Sequence, residues 1–426
     1  MNSGFASEGE VAVVGAGLAG LTTGWELLSR GYNVTIIEAL PDIALGTSFA
    51  NGGLLTPSLS EPWNAPGTIG QLLFSFFEPH SAFKLNLGQI PDLSIWGLNF
   101  LRNSSKNRFL NSTKRSFRLA RYSAEITREV AASLSLKCDF SSLGSMKLYR
   151  DANAMKASLL ISRMLAEEGL VFDELDRDVA VRTEPQLAPI REQIVGAIRF
   201  PDDGCGDAHL FCREIATRFL KSGGSIRTGA TVARINTDEG NVLGLETSIG
   251  KFGFKSVVLA GGVSSPKLAS KVGVSLGIKP AKGYSVTFKV PAGVKLPTIP
   301  VIDDGMHIAV TPLGDRLRIA GTAEFAGFDL SVLKPRVDHL IGLLGSIYPN
   351  IARELRREDA VPWTGLRPMT ADGLPYIGPT KIRGLWINSG HGPLGWTMAM
   401  GSARLLGDLF DGRAPAIDPH PYRLGR

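Results

Sequence analysis

The chain has 426 residues, too many for one small core, and at 44% hydrophobic and 20% charged it reads as an ordinary globular protein of two or more units. Its 49 glycines are scattered without period, which excludes collagen, and a net charge of +6 is too mild to require a polyanionic partner. Three cysteines, Cys138, Cys205 and Cys212, lack CxxC spacing, which excludes a disulfide framework or a cysteine-held metal and fits a reducing compartment.

In chain order, Glu8 and Glu10 stand where a signal peptide would carry basic residues, and the uncharged run 11–25 is too short to span a bilayer, so no transmembrane helix is predicted. Residues 11–14 read Val-Ala-Val-Val, a short buried strand. Gly15-Ala16-Gly17-Leu18-Ala19-Gly20 follows, then a helix pattern through Leu21, Trp25 and Leu28, a turn at Gly31, and the strand Asn33 to Ile37 ending at Glu38. Strand, glycine turn, helix, strand and acid in that order predict a dinucleotide site. Gly15 permits the tight turn, Gly17 lets the backbone approach a pyrophosphate, and Gly20 allows helix and strand to pack closely. The helix start offers free N–H groups to phosphate, and Glu38 can accept both hydroxyls of an unphosphorylated ribose, hence FAD or NAD rather than NADP.

Residues 69–77 are unusually apolar for a connection. The stretch 102–128 holds eight basic residues against one acid, Glu125. Readings of that stretch as a solvated helical face or a surface for anionic lipid both stand; no zinc finger or basic–aromatic repeat supports nucleic acid. A strand at 229–235 is predicted to pass the adenine and offer backbone groups of Val232. Lys255 to Gly262 is a further buried strand running into Gly261 and Gly262. The nucleotide-binding unit is therefore discontinuous, from segments 8–60, 200–270 and 360–416, which favours flavin over NAD.

The remaining segments, 61–199 and 271–359, contain alternating runs at 146–149, 284–290, 307–311 and 316–322, predicted as antiparallel strands, with helices over 106–136, 151–168 and 334–348. The fold class expected is α/β: a Rossmann-like FAD-binding domain beside an α+β substrate domain on a mainly antiparallel sheet, with 417–426 as a tail. His209 and His307 are more often packed than catalytic, and the six histidines show no metal-ligand spacing. No G-x-S-x-G elbow is present.

Five segments carry a resemblance: the N-terminal fingerprint with Gly46-Thr47-Ser48-Phe49-Ala50-Asn51-Gly52-Gly53, Pro62-Trp63-Asn64-Ala65-Pro66-Gly67, Lys282-Gly283-Tyr284-Ser285, Trp363 to Gly373, and Asn388 to Ala399. Together they resemble the bacterial D-amino acid dehydrogenase family over residues 10–416. The resemblance implies tightly but non-covalently bound FAD and oxidation of a D-amino acid to the 2-imino acid, which water converts to the 2-oxo acid and ammonia. It also implies electron transfer to a quinone or other respiratory carrier, a cytoplasmic location with peripheral contact to the inner membrane, and in some relatives a partner subunit.

Carried over by motif, Gly15, Gly17, Gly20 and Glu38 form the adenosine–pyrophosphate site, and Thr47, Ser48, Asn51, Gly52 and Gly53 lie along the pyrophosphate and flavin. Arg367 is similar to the arginine that clamps a substrate carboxylate, and Gly390, His391 and Gly392 resemble the loop beside the ring, whose carbonyls accept from the substrate amine. A bidentate guanidinium suits this role because two parallel charge-assisted bonds fix the carboxylate's orientation. The competing reading pairs Arg367 with Asp372. Leu394, Gly395, Trp396 and Thr397 open a helix whose N–H groups can face the flavin's pyrimidine end; the alternative is a plain buried helix. Tyr284 either binds substrate carboxylate or is a core tyrosine. Arg316 and Arg318, two apart on one strand face, either meet substrate or form an ion pair at the sheet edge.

Two departures touch the pocket. Pro393 stands where the family has threonine, and Asn51-Gly52-Gly53-Leu54-Leu55 departs from Asn-Ala-Gly-Gln. They leave the reaction type alone and bring a cyclic imino acid such as D-proline or hydroxyproline into contention. An oxidase using O₂ and a flavin-binding sensor without turnover complete the alternatives.

Overall fold

The computed structural model describes residues 6–7, 10–67, 83–85 and 87–426. Val11–Val14, four apolar residues in a row, is buried at every position. It sits inside a six-stranded sheet ordered Ser225–Arg227, Val34–Ile37, Val11–Val14, Ser256–Leu259, Leu385–Ser389, Tyr376–Pro379. The first five run parallel and the last antiparallel. Strands buried on both faces need cover on both. Val11 and Val13 pack with the helices Leu18–Ser29, Ala208–Lys221 and Gly395–Phe410. Ala12 and Val14 pack against a smaller sheet, in which Val232–Asp238, Asn241–Thr247 and Gly250–Gly253 are antiparallel neighbours. The strand expected at 229–235 thus begins at Val232, after Gly229 and Ala230 have bonded to the Leu40 and Glu38 carbonyls.

A second, nine-stranded sheet runs Val361–Thr370, Ile278–Lys289, Arg316–Phe325, Ile308–Leu313, Val301–Asp303, Ser145–Tyr149, Gly196–Phe200, Asp173–Asp176, with Phe83–Leu85 beside Arg316–Phe325. It is mainly antiparallel, and the helix Lys334–Ile347 buries Leu340, Leu344 and Ile347 against it. The fold is the expected one, a Rossmann-like α/β unit with a second, mainly antiparallel sheet. One expectation is corrected. Val361–Thr370 was assigned to the nucleotide-binding segments but pairs along its length with Ile278–Lys289. That pairing carries Arg367 on the larger sheet.

The basic stretch lies mostly on the helix Lys106–Ser133, where Arg118 pairs with Glu168 at 2.8 Å, Lys114 with Glu167 at 3.5 Å and Arg121 with Glu125 at 3.2 Å. Residues 69–77 lie outside those described. Among the described residues no helix is long and apolar enough to cross a membrane, and no group of side chains could hold a metal ion.

Candidate active site

A cavity of about 840 Å³ is lined by both large sheets and the loops leaving them. At its nucleotide end the glycine turn is held by contact. Gly15 has φ +108°, and a Cβ there would lie 2.9 Å from the Ala260 carbonyl; a Cβ on Gly20 would lie 1.8 Å from the Gly15 carbonyl. Only glycine fits either position. Gly20 does not line the cavity; it lets the helix Leu18–Ser29 sit down on the turn, while Gly15, Gly17 and Leu18 face the space. Ser48 Oγ accepts the Leu18 N–H at 3.0 Å, tying the 46–53 loop to the helix start.

Glu38 follows the strand Val34–Ile37, where the chain leaves the sheet. Its Oε2 accepts the Ala16 N–H at 2.6 Å and its Oε1 accepts the Leu40 N–H at 2.9 Å. Two backbone donors fix the carboxylate and leave acceptor capacity facing the cavity, the arrangement a ribose diol needs. Val232 and Gly261 line the same end, joined by Lys267 and Lys271, which the sequence reading missed.

From there the wall follows Thr47, Ser48, Asn51 and Gly52. Thr47 Oγ1 donates to the Leu366 carbonyl at 2.7 Å, and Asn51 Oδ1 accepts the Gly53 N–H at 3.0 Å. Gly53 lies behind the wall, at φ +69° and packed against the Gly206 carbonyl. On the facing side Gly392, Pro393, Leu394, Gly395, Trp396 and Thr397 bring the start of the helix Gly395–Phe410 to the cavity. Thr397 Oγ1 accepts the Thr56 N–H at 3.1 Å. Gly390, at φ +90°, sits behind the lining, where a Cβ would meet Thr370 at 2.8 Å.

Arg367 occupies the other end. Its Nη1 donates to the Thr322 carbonyl at 3.1 Å, and the Trp63 ring lies 5.5 Å from the guanidinium carbon. It forms no ion pair among the described residues, and burial pushes its pKa down to about 10. The competing partner is accounted for: Asp372 pairs with Arg426 at 2.7 Å. Local backbone makes room for this arginine. The pairing of Ile278–Lys289 with Arg316–Phe325 slips between Lys282 and Tyr284, a bulge opposite Gly283. A Cβ on Gly283 would lie 2.3 Å from Arg367 Nη1. Thr322, on the bulged strand, has φ +59°, an uncommon conformation for a β-branched residue.

Tyr284 lies on the cavity lining, between Gly283 and Ser285, but its side chain is spoken for. Strand alternation turns its ring, with Val286 and Phe288, into the core beneath Leu340 and Leu344, and its hydroxyl donates to Glu324 at 3.1 Å. Burial, then the Glu324 charge, hold that phenol above its usual range, so it stays protonated. Gly283 and Ser285 line the cavity on either side of it, and Ser285 Oγ donates to the Ala50 carbonyl at 2.6 Å. His391 lines the cavity, but its Nε2 lies 3.0 Å from Ser402 Oγ and burial pushes its pKa down to about 4, so the ring is neutral near pH 7. Arg316 and Arg318 both pair with Asp207, at 2.9 and 3.4 Å, and neither lines the cavity; Arg318 is buried rather than at a sheet edge. His209 lies outside the lining, against Phe49, while His307 is on it.

Trp63, Glu61, Gly283, Ser285 and Thr322 complete this end without having been singled out for it. Trp63 belongs to the Pro62–Gly67 motif and Gly283 and Ser285 to the Lys282–Ser285 motif; the bulge and the strained threonine leave no mark in residue type.

The FAD dependent oxidoreductase family (DAO) matches residues 10–409 of this chain. The chain belongs to that family. Two D-amino acid dehydrogenases are among its relatives. The protein of Cereibacter sphaeroides (strain ATCC 17029 / ATH 2.4.9) is 38% identical over 412 residues, covering 96% of this chain and 93% of the relative. That of Rhizobium rhizogenes is 36% identical over 419 residues, covering 98% and 99%. Among solved structures, glycine oxidase from Geobacillus kaustophilus superposes with a TM-score of 0.78 at 25% identity, covering 99% of both chains. L-Proline dehydrogenase from P. horikoshii gives 0.78 at 17% identity, covering 98% and 97%, a likeness of fold. The family's cofactor fits what this chain presents: a glycine turn that no Cβ could occupy, a carboxylate fixed by two backbone donors beside that turn, and a cavity that continues past both to Arg367.

Proposed function

We propose that this flavin-dependent oxidoreductase oxidises a D-amino acid to its 2-imino acid, which water then hydrolyses to the 2-oxo acid and ammonia, with electrons delivered to a quinone or other acceptor than oxygen. The observation that carries the reading is Arg367, a guanidinium on the cavity wall with no carboxylate partner among the described residues. A buried cation without a counter-ion is costly, and a substrate carboxylate repays the cost by two parallel bonds. The name shared by relatives up to 38% identical supports the substrate class and the dehydrogenase reading.

When bound, FAD supplies the two-electron sink for hydride leaving the substrate's Cα. The chain's own residues bind and orient. Arg367 holds the carboxylate, Trp63 walls the side, and the Gly392 loop sets its carbonyls toward the amine. The amine must be unprotonated for its lone pair to form the C=N bond as the Cα–H bond breaks. Neutral His391, held on Ser402, adds no cation to oppose that lone pair. The start of the helix Gly395–Phe410 directs a positive dipole end at the ring's site, where charge accumulates on reduction. We read FAD as non-covalently held.

A second reading, a cyclic imino acid substrate, is favoured by Pro393, which lines the cavity without a hydroxyl or N–H. Anaerobic stopped-flow mixing with D- and L-amino acids and both prolines tests both. Bleaching of the oxidised flavin band by D-amino acids, with fast reoxidation by quinone and slow reoxidation in air, is expected. Bleaching confined to proline or hydroxyproline selects the second reading, and no bleaching by any of them overturns both.

A further inference from the structure

Among the described residues two carboxylates line the cavity, Glu38 and Glu61. Glu38 is engaged by two backbone N–H groups at the nucleotide end. Glu61 lies at the substrate end, two residues before the tryptophan whose ring faces Arg367. Trp63, Ile302, His307, Ile308 and Ala309 line the same cavity. Among the described residues Glu61 makes no hydrogen bond and no ion pair. The cation that feels its charge is Lys147, which is already bonded to Asp304 at 2.7 Å. Two carboxylates against one ammonium leave that corner one negative charge in excess, and Glu61 is the member that reaches the cavity. A half-buried carboxylate without a hydrogen bond is unfavourable unless a donor meets it.

We infer that Glu61 receives a hydrogen-bond donor at the far end of the substrate's side chain, and so selects side chains ending in an ammonium or a hydroxyl. The inference rests on the reading of Arg367 as the carboxylate clamp. With the carboxylate on Arg367, the side chain runs along Trp63 toward Glu61. A site built to receive a donor discriminates strongly against the analogue lacking one, because its own polar group is then buried unpaired.

Two matched pairs test it: D-lysine against D-norleucine, and cis-4-hydroxy-D-proline against D-proline, compared by kcat/KM with a dye acceptor. The enzymes are the holoprotein, Glu61→Leu and Glu61→Gln, with flavin content verified by absorbance. In the unmodified enzyme the donor-bearing member of at least one pair is expected to be favoured about tenfold or more. That preference should collapse toward unity in Glu61→Leu. In Glu61→Gln it should collapse for the ammonium, which needs the charge, and persist in part for the hydroxyl, which needs only an acceptor. Should Glu61→Leu not retain flavin, the Gln variant still reads the ammonium pair and an unmodified-enzyme ratio near one still decides the hydroxyl pair. Ratios near one for both pairs in the unmodified enzyme, or ratios unmoved by the variants, overturn the assignment while leaving the D-amino acid reading intact. Failure of D-amino acids as a class to reduce the flavin overturns the D-amino acid reading instead.

Discussion

The carbonyl of Thr322, a buried β-branched residue at φ +59°, accepts the Arg367 Nη1–H at 3.1 Å. Strain at one residue thereby turns an acceptor toward the one guanidinium facing the substrate end, which is where strained backbone tends to be retained. The Thr322 hydroxyl takes no part, since Oγ1 is buried without a hydrogen-bond partner among the described residues. Thr322→Val keeps the shape and deletes an unsatisfied group, so it should stabilise the protein by about 1 kcal/mol. A chemical-denaturation midpoint that falls instead would show the hydroxyl to be engaged.

Gly283→Ala sets a methyl 2.3 Å from Arg367 Nη1, and the flexible side chain, rather than the strand, must yield. Displacing a clamp by about 1 Å costs on the order of 100-fold in kcat/KM. Flavin content and spectrum should be retained. A variant with unaltered kinetics would remove Arg367 from the substrate site.

Glu38→Ala deletes the carboxylate proposed to accept the ribose hydroxyls and orphans the Ala16 and Leu40 N–H groups. FAD affinity, read by reconstituting apoprotein, should fall about 10–100-fold, the equivalent of one or two lost charged hydrogen bonds. Equal affinity would mean that the ribose lies elsewhere.

Two buried groups give stability opposite dependences on pH. Asp203, bonded to Ser58 and Ser145 at 2.6 Å each, is pushed up to about 7 by burial. The folded chain keeps that proton while the unfolded chain loses it near 3.8, so this contribution falls as pH rises from about 4 to about 7. His391, pushed down to about 4, stays neutral in the fold while the unfolded imidazole protonates below 6.5, so its contribution falls as pH drops from 6.5 to 4. Asp203→Asn removes the first slope and uncovers the second. Relative to the unmodified protein, its unfolding free energy should rise by up to about 4 kcal/mol between pH 4 and 7. Parallel stability curves for the two proteins are the contrary result.

The nucleotide end was legible because its motif is local. Gly15, Gly17, Gly20 and Glu38 belong to one strand–helix–strand unit, and their spacing alone fixes the geometry. Arg367 was legible through a motif, but its freedom from Asp372 depended on Arg426, 54 residues away, and no local pattern announces such a pair. Alternation along 284–290 separated two faces without saying which one carries a side chain into the cavity; Tyr284 lines it while its ring packs with Val286 and Phe288 and its hydroxyl is held by Glu324. Val361–Thr370 was misassigned because strand pairing is a contact between segments distant in sequence. Thr322 was invisible because left-handed backbone is signalled by glycine or asparagine, and threonine signals its opposite.

Thr47 belongs to the loop along the nucleotide, yet its hydroxyl holds the carbonyl of Leu366, the residue next to the carboxylate clamp. A single 2.7 Å bond thus makes the two ends of the cavity share a reference frame. Occupying one end is expected to steady the other, and thermodynamic reciprocity requires any such effect to run equally in both directions. A non-reacting carboxylate bound at Arg367 should therefore tighten FAD by the same factor by which FAD tightens the carboxylate, and Thr47→Val should bring both factors toward one. On that expectation cofactor retention follows substrate supply, and the protein should hold its flavin less firmly with Arg367 unoccupied than with a carboxylate bound there.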